Sequence, residues 1–158
     1  MSEIEQIASG NAVAFRDFVK RKARDYYHVA YRVTLQKQAA EDAVQNAFAK
    51  LWEKRASLKA DGNLEAWLYR VVINFAIDDK RRLRLSPLPD DVEQEAEPEK
   101  VDISQHLQSL PPRQRAAVMM VYFDEIPQKQ AAENLGIGVK ALESLLSRAK
   151  IILKEKLK

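Results

Sequence analysis

Apolar residues recur along this chain at helical intervals. Val13, Phe15, Phe18, Val19, Tyr26, Tyr27, Ala30, Tyr31 and Val33 follow roughly helical spacing, and neither glycine nor proline occurs from Asn11 to Asp61. Long helices are therefore allowed there. Ala43, Val44, Ala47, Phe48, Leu51 and Trp52 repeat at i, i+1, i+4, i+5, i+8 and i+9, which predicts one apolar face on a helix of about 39–55. Arg55 to Asn63, with Gly62, reads as a loop. Leu64, Trp67, Leu68, Val71, Val72, Phe75 and Ala76 then mark a further helix running into Lys80 to Arg84.

The C-terminal third repeats the pattern in shorter pieces. Asp102 or Ser104 can cap a short helix, and Pro111 and Pro112 suit a helix start because proline fits the first turn. Ala116 to Phe123 is expected as a buried run, Asp124 to Pro127 as a turn and Gln128 to Leu135 as a helix. Gly136 supplies backbone freedom for a tight turn. Val139 to about Lys156 forms the last helix, with Leu142, Leu145, Leu146, Ala149, Ile152 and Leu153 on its apolar side. Nothing alternates with period two for long enough to argue a strand. The expected fold class is all-α: two small helical domains, 1–85 and 101–158, joined by a flexible acidic linker over 86–100, the C-terminal one containing a helix-turn-helix.

Charge sharpens this division. The 26 Lys and Arg against 23 Asp and Glu leave only +3 overall. That sum hides a net +5 over 1–85, −5 over 86–100 and +3 over 101–158. The middle block holds Asp90, Asp91, Glu93, Glu95, Glu97 and Glu99 with Pro87, Pro89 and Pro98. Such a composition cannot bury a core and reads as a tether. It is either a solvated spacer or a mimic of nucleic acid that occupies a basic groove when the partner is absent.

The chemistry available is narrow. The chain has no cysteine, which excludes disulfides, thiolate metal sites and a thiol nucleophile, and only two histidines, His28 and His106. The acid pairs Glu41/Asp42, Asp78/Asp79 and Asp90/Asp91 are adjacent residues that do not face one another on a helix. No catalytic residue, metal, cofactor or small-molecule substrate is expected. The longest apolar run, Ala116 to Phe123, falls far short of the ~20 residues that span a bilayer, so no membrane insertion is expected. The acidic start Met1-Ser2-Glu3-Ile4-Glu5 does not resemble a secretory signal, and a cytoplasmic protein is expected.

Two short helices joined by a glycine turn are the sign of a helix-turn-helix. Ala132 stands four residues before Gly136, where a small side chain lets the helices cross closely. Ile137 closes the turn, and Leu142 and Leu145 anchor the second helix. An ordinary αα-hairpin would also carry Gly and Leu, but the joint pattern favours DNA binding. In that geometry Gly138, Lys140, Ala141, Glu143 and Ser144 face bases. Lys140 and Ser144 can donate, Glu143 can accept from a cytosine amine, and Lys129, Arg148 and Lys150 suit phosphates.

Ala40-Glu41-Asp42-Ala43-Val44-Gln45-Asn46-Ala47-Phe48-Ala49-Lys50-Leu51-Trp52, then Trp67-Leu68-Tyr69-Arg70-Val71-Val72-Ile73-Asn74, then Asp78-Asp79-Lys80-Arg81-Arg82, together resemble region two of bacterial RNA polymerase sigma factors of the sigma-70 family, with the small extracytoplasmic-function subfamily most similar. Leu110-Pro111-Pro112-Arg113-Gln114-Arg115 through Leu145-Leu146-Ser147-Arg148-Ala149-Lys150 resembles region four. The resemblance implies that Asp42, Gln45, Phe48 and Trp52 dock on the polymerase clamp; Phe48 and Trp52 can instead be core, a reading favoured for Trp52, which leaves Asp42 and Gln45 as the better interface candidates. It implies that Lys59, Asn63, Arg70, Asn74, Lys80, Arg81, Arg82 and Arg84 bind minus-10 promoter DNA, the loop Lys59 to Asn63 capturing a flipped base, with Trp67 and Tyr69 either packing or stacking. Lys129, Lys140, Glu143, Ser144, Arg148 and Lys150 would serve the minus-35 element. Many relatives have basic residues where Glu143 and Leu145 stand here, so specificity would lean on Lys140, Ser144 and DNA shape. The partners implied are core RNA polymerase, promoter DNA and an anti-sigma factor that masks both lobes. A stand-alone helix-turn-helix regulator would explain only the second lobe. A decoy that titrates an anti-sigma factor would not need Lys140 or Arg82.

Overall fold

The computed structural model describes residues 2–59, 62–78 and 106–156. The expected linker over 86–100, the cations Lys80, Arg81, Arg82 and Arg84, and the caps Asp102 and Ser104 lie outside the described residues. Within them every regular element is helical, as the spacing of apolar residues predicts.

Helix α1 (Glu3–Ala8) opens on a reciprocal cap: the Glu5 N–H donates to the Ser2 hydroxyl, and the Ser2 N–H donates to the Glu5 carboxylate. That pairing holds the Glu5 carboxyl below its ordinary range. Helix α2 (Ala12–Thr34) starts at Asn11, whose side chain accepts from the N–H groups of Val13 and Ala14. It ends at Leu35, a non-glycine residue in the left-handed region at φ 56°. The Thr34 hydroxyl accepts from the Gln36 N–H and donates to the Gln36 carbonyl, tying the turn that follows. Helix α3 (Lys37–Glu53) and α4 (Leu64–Ile77) complete the first lobe, α4 capped by Asn63.

Phe18, Val33, Leu51, Leu68, Val72 and Ile73 are buried where α2, α3 and α4 meet, and Ile7 brings α1 onto them. The Phe48 ring meets Phe18 and Tyr26 edge-on, each at a centroid distance of 6.2 Å.

The second lobe begins with α5 (Pro112–Val118), which carries proline at its first position. The chain then widens into a π-helical turn over Met119–Phe123, closed by the Asp124 N–H donating to the Met119 carbonyl at 2.9 Å. Helix α6 (Gln128–Leu135) and α7 (Val139–Lys156) follow. Between them Gly136 sits at φ 71°; its N–H bonds Glu133, and the Ile137 N–H bonds the Ala132 carbonyl. This double bond pattern needs the left-handed residue that glycine supplies. Leu110, Met120 and Leu142 fill the core of this lobe.

Four details differ from expectation. The α3 helix starts two residues earlier and stops at Glu53. The loop after it contains a 3-10 turn over Arg55–Ser57. Helix α4 stops at Ile77, with Asp78 as an extended cap, where it was expected to run into Lys80 to Arg84. The run from Ala116 stays buried only to Met120, and Tyr122 and Phe123 are about half exposed (50% and 47%) because the π turn rotates them outward. The two lobes also touch: α5 packs against α2 and α4, and α6 against α4.

Candidate promoter and polymerase interfaces

Helix α3 carries the first group of expected contacts. Gln45 is exposed, and Asp42 is half-buried, accepting from the Gln38 amide at 3.2 Å. Phe48 is buried. Trp52 is half-buried, packed on Phe15 at 4.9 Å with the Arg55 guanidinium 4.1 Å above its ring. Both aromatics are thus packing residues, and both also line an apolar groove of about 470 Å³ between α2 and α3. Its other walls are Phe15, Val19, Ala23, Val44 and Ala49, and Gln45 is the one polar side chain lining it. An apolar trough with a polar rim fits a helix laid into it.

Helix α4 carries the second group. Lys59, Asn63 and Arg70 are exposed. The Asn63 side-chain oxygen accepts from the Ala66 N–H at 3.0 Å, so this residue holds the start of the helix whatever else it does. The Asn74 amide donates to the Asn134 carbonyl of α6 at 3.3 Å. Tyr69 is packed, not presented: its hydroxyl donates to Asp124 Oδ2 at 2.6 Å. Burial, then that bond to a carboxylate, pushes the Tyr69 phenol well above its ordinary value, against a smaller opposing effect of Arg32. Trp67 remains partly exposed.

Helices α6 and α7 carry the third group. Lys129, Lys140, Glu143, Ser144, Arg148 and Lys150 are all exposed. Lys140, Ser144 and Arg148 follow at intervals of four and share one stripe of α7. The buried Leu142, Leu146 and Ala149 point the other way, into the lobe. Leu145 and Ile137 are half-buried beside them. The Lys150 ammonium lies 5.7 Å from the Tyr122 ring.

Three residues that sequence reasoning passed over hold the lobes together. Arg115 is buried and donates to the carbonyls of Leu107, Leu110 and, across the boundary, Val33. Arg32 donates to Asp124 Oδ1 at 2.5 Å. A basic residue opening an apolar run was the one available hint of Arg115. Arg32 and Asp124 stand 92 positions apart, and nothing local marks them as partners. Among the described residues no helix is long and apolar enough to cross a membrane.

Two family descriptions match the chain in order: Sigma-70 region 2 over residues 18–85 and Sigma-70, region 4 over residues 100–153. The chain belongs to the sigma-70 family, extracytoplasmic-function type. This sigma factor is 27% identical over 149 residues to the ECF RNA polymerase sigma factor SigE of Mycolicibacterium smegmatis, an alignment covering 85% of this chain and 58% of SigE. It is 25% identical to SigW of Bacillus subtilis, covering 98% of this chain and 95% of SigW. Among solved structures, CnrH in complex with the cytosolic domain of CnrY superimposes with a TM-score of 0.71 at 26% identity, covering 98% of this chain and 94% of CnrH. RpoE of Bartonella quintana, solved with the anti-sigma factor NepR, shares the fold at a TM-score of 0.67 and 24% identity, covering 90% of this chain and 96% of RpoE.

Proposed function

We propose that this sigma factor directs core RNA polymerase to a set of promoters and starts transcription there. The observation that carries the reading is the order of the two sigma regions on one chain, with exposed cations and hydrogen-bonding side chains where each is to meet DNA. Residues 1–85 would form the region-two unit, 86–100 the linker and 101–158 the region-four unit. The polymerase clamp would seat along α3, with Asp42 and Gln45 at the rim and Phe48 and Trp52 forming the floor.

Lys59, Asn63, Arg70 and Asn74, with Lys80, Arg81, Arg82 and Arg84, would hold and open the minus-10 element. Opening needs cations for phosphates and a surface for an unstacked base. Lys140, Glu143 and Ser144 would read the minus-35 duplex, while Lys129, Arg148 and Lys150 grip its backbone. The work is binding and duplex opening, with no bond made or broken by this chain's side chains. A cytoplasmic setting follows from the polymerase as partner. An anti-sigma factor that masks both regions is the regulator we infer. CnrH, similar over nearly its whole length, has been solved holding a domain of a second protein.

Run-off transcription with purified core polymerase and a pool of genomic promoters tests the reading. Promoter-dependent transcripts that require this protein are expected. Their absence, with tight binding of the free protein to duplex DNA, would point instead to a stand-alone regulator.

A further inference from the structure

The corner between α3 and α4 is built around one cation. Helix α3 stops at Glu53, and the 3-10 turn over Arg55–Ser57 leads to Leu58, whose backbone is extended. The Ser57 N–H and hydroxyl both donate to the Lys54 carbonyl, at 2.9 and 2.8 Å, and the Leu58 N–H donates to the Arg55 carbonyl at 3.2 Å. Further on, the Gly62 N–H donates to the Lys59 carbonyl at 2.9 Å, and Asn63 caps α4. With these ties in place, the way Lys59 is presented depends on how the 3-10 turn sits on the end of α3.

Arg55 seats that turn. It is half-buried; its Nη1 donates to the Trp52 carbonyl at 2.7 Å, and its guanidinium carbon lies 4.1 Å from the centre of the Trp52 ring. The carbonyl belongs to the last turn of α3, where the helix dipole favours a cation. A guanidinium over an indole adds a cation–π contact. The planar fork can stack and donate at once, which an ammonium cannot. Helix α1 packs against the 3-10 turn as well, and a Cβ built on Gly10, at φ 93°, would lie 3.8 Å from Arg55 Nε. No carboxylate pairs with Arg55 among the described residues, so the ring and the carbonyl are what hold it.

We propose that Arg55 is a positioning residue for minus-10 recognition: clipped to Trp52, it holds Lys59 and Asn63 where a flipped base can be captured. This rests on the reading that the Lys59 to Asn63 segment captures that base. Arg55 does not itself touch DNA in this arrangement, since its guanidinium is committed to the ring and the carbonyl, whereas Lys59 is exposed. Trp52 also lines the apolar groove in which the clamp would seat. One ring thus serves both the polymerase contact and the base-capture segment, and couples the two.

The test uses holoenzyme assembled from core polymerase and the full chain. It is titrated with a fluorescent single-stranded minus-10 oligonucleotide, taken from a promoter that run-off transcription identifies, and with each single-base substitution of it. The unaltered protein should lose about tenfold in affinity when the captured base is changed. In Arg55→Ala that discrimination should fall to about twofold at the same position and hold elsewhere, with the salt dependence unchanged. Arg55→Lys, which keeps the charge and the packing stem, should discriminate nearly as poorly as Arg55→Ala while melting close to the unaltered protein. Trp52→Leu, measured at saturating core polymerase, should copy the Arg55→Ala defect, and the double variant should be little worse than either alone.

Full discrimination in a folded Arg55→Ala or Arg55→Lys protein would overturn the proposal. So would a loss spread evenly over all substitutions with the salt slope lowered by about 0.7, the mark of a direct contact to a single-strand phosphate. Additive losses in the double variant would remove Trp52 as the platform and overturn the coupling. An unaltered holoenzyme that discriminates at no minus-10 position would sink base capture itself, and Arg55 with it. Failure of the promoter reading shows separately, as absent run-off transcripts.

Discussion

The hydroxyl of Tyr69 lies 2.6 Å from Asp124 Oδ2, a bond between residues 55 positions apart and on opposite sides of the lobe boundary. The phenol must keep its proton to donate. Burial and the neighbouring carboxylate raise its pKa above the ordinary value of 10.0, and burial raises Tyr26 and Tyr27 in the same direction. A folded-state pKa above the unfolded one stabilises fully below the unfolded value and loses its effect as pH climbs toward the folded one. The melting temperature should therefore hold to about pH 9 and fall above about pH 10. Tyr69→Phe should show a shallower alkaline fall and a neutral-pH stability lower by about 1–2 kcal/mol, the worth of a bond to a charged acceptor. Thermal melts across pH 7–11, with tyrosinate absorbance followed in parallel, check both.

Arg115 is the most consequential polar residue in the second lobe. Its guanidinium serves the carbonyls of Leu107, Leu110 and Val33 from a buried position. Arg115→Met keeps much of the volume and leaves three carbonyls without that donor. Each lost partner in a buried setting costs about 1–3 kcal/mol, partly recovered by water. A total loss of about 3–5 kcal/mol is expected, enough to unfold a marginal domain. Arg115→Lys should recover only part, since an ammonium cannot reproduce the planar fork. Urea denaturation reads the difference.

Asn63 is placed to do two things, and they can be separated. Its side chain caps α4 through the Ala66 N–H, and it stands in the loop proposed to capture a flipped base. Asn63→Ala should lower stability by about 1 kcal/mol through loss of the cap. Asn63→Asp should hold stability, because aspartate caps as well and its charge suits a helix N-terminus. It should still reduce promoter opening, since a carboxylate cannot donate and repels phosphates. A melt together with permanganate reactivity of minus-10 thymines in the holoenzyme complex distinguishes the two roles.

The helices were legible because their apolar spacing is regular. Gln128–Leu135, Gly136 and Val139–Lys156 follow directly from the Ala132, Gly136 and Leu142 pattern. The end of α2 was not, since Leu35 enters the left-handed region without a glycine to announce it. The π turn was missed for a related reason: Met119–Phe123 reads as one apolar run, and a single extra residue per turn leaves no mark in composition. Asp42, Gln45 and the α7 residues were placed on their helices by spacing alone. The lobe contact was invisible because Arg32, Tyr69, Arg115 and Asp124 meet only through tertiary packing. Each alone looks like an ordinary surface charge or a core aromatic.

The exposed stripe of α7 allows affinity and specificity to be tested apart. Lys140, Ser144 and Arg148 share that stripe, with Glu143 beside them. A cation on a phosphate displaces a condensed counterion, so its removal should reduce the slope of log affinity against log salt by about 1. Arg148→Ala is expected to do this equally on all promoters. Glu143 would behave differently: proposed as an acceptor from a cytosine amine, it would repel phosphates and select a base. Glu143→Gln should therefore tighten holoenzyme binding overall while eroding discrimination at one minus-35 position by about 1–3 kcal/mol. Binding of holoenzyme to a minus-35 substitution series at several salt concentrations yields both quantities. A uniform gain with no position affected would place Glu143 on the backbone side of the helix and leave base reading to Lys140 and Ser144.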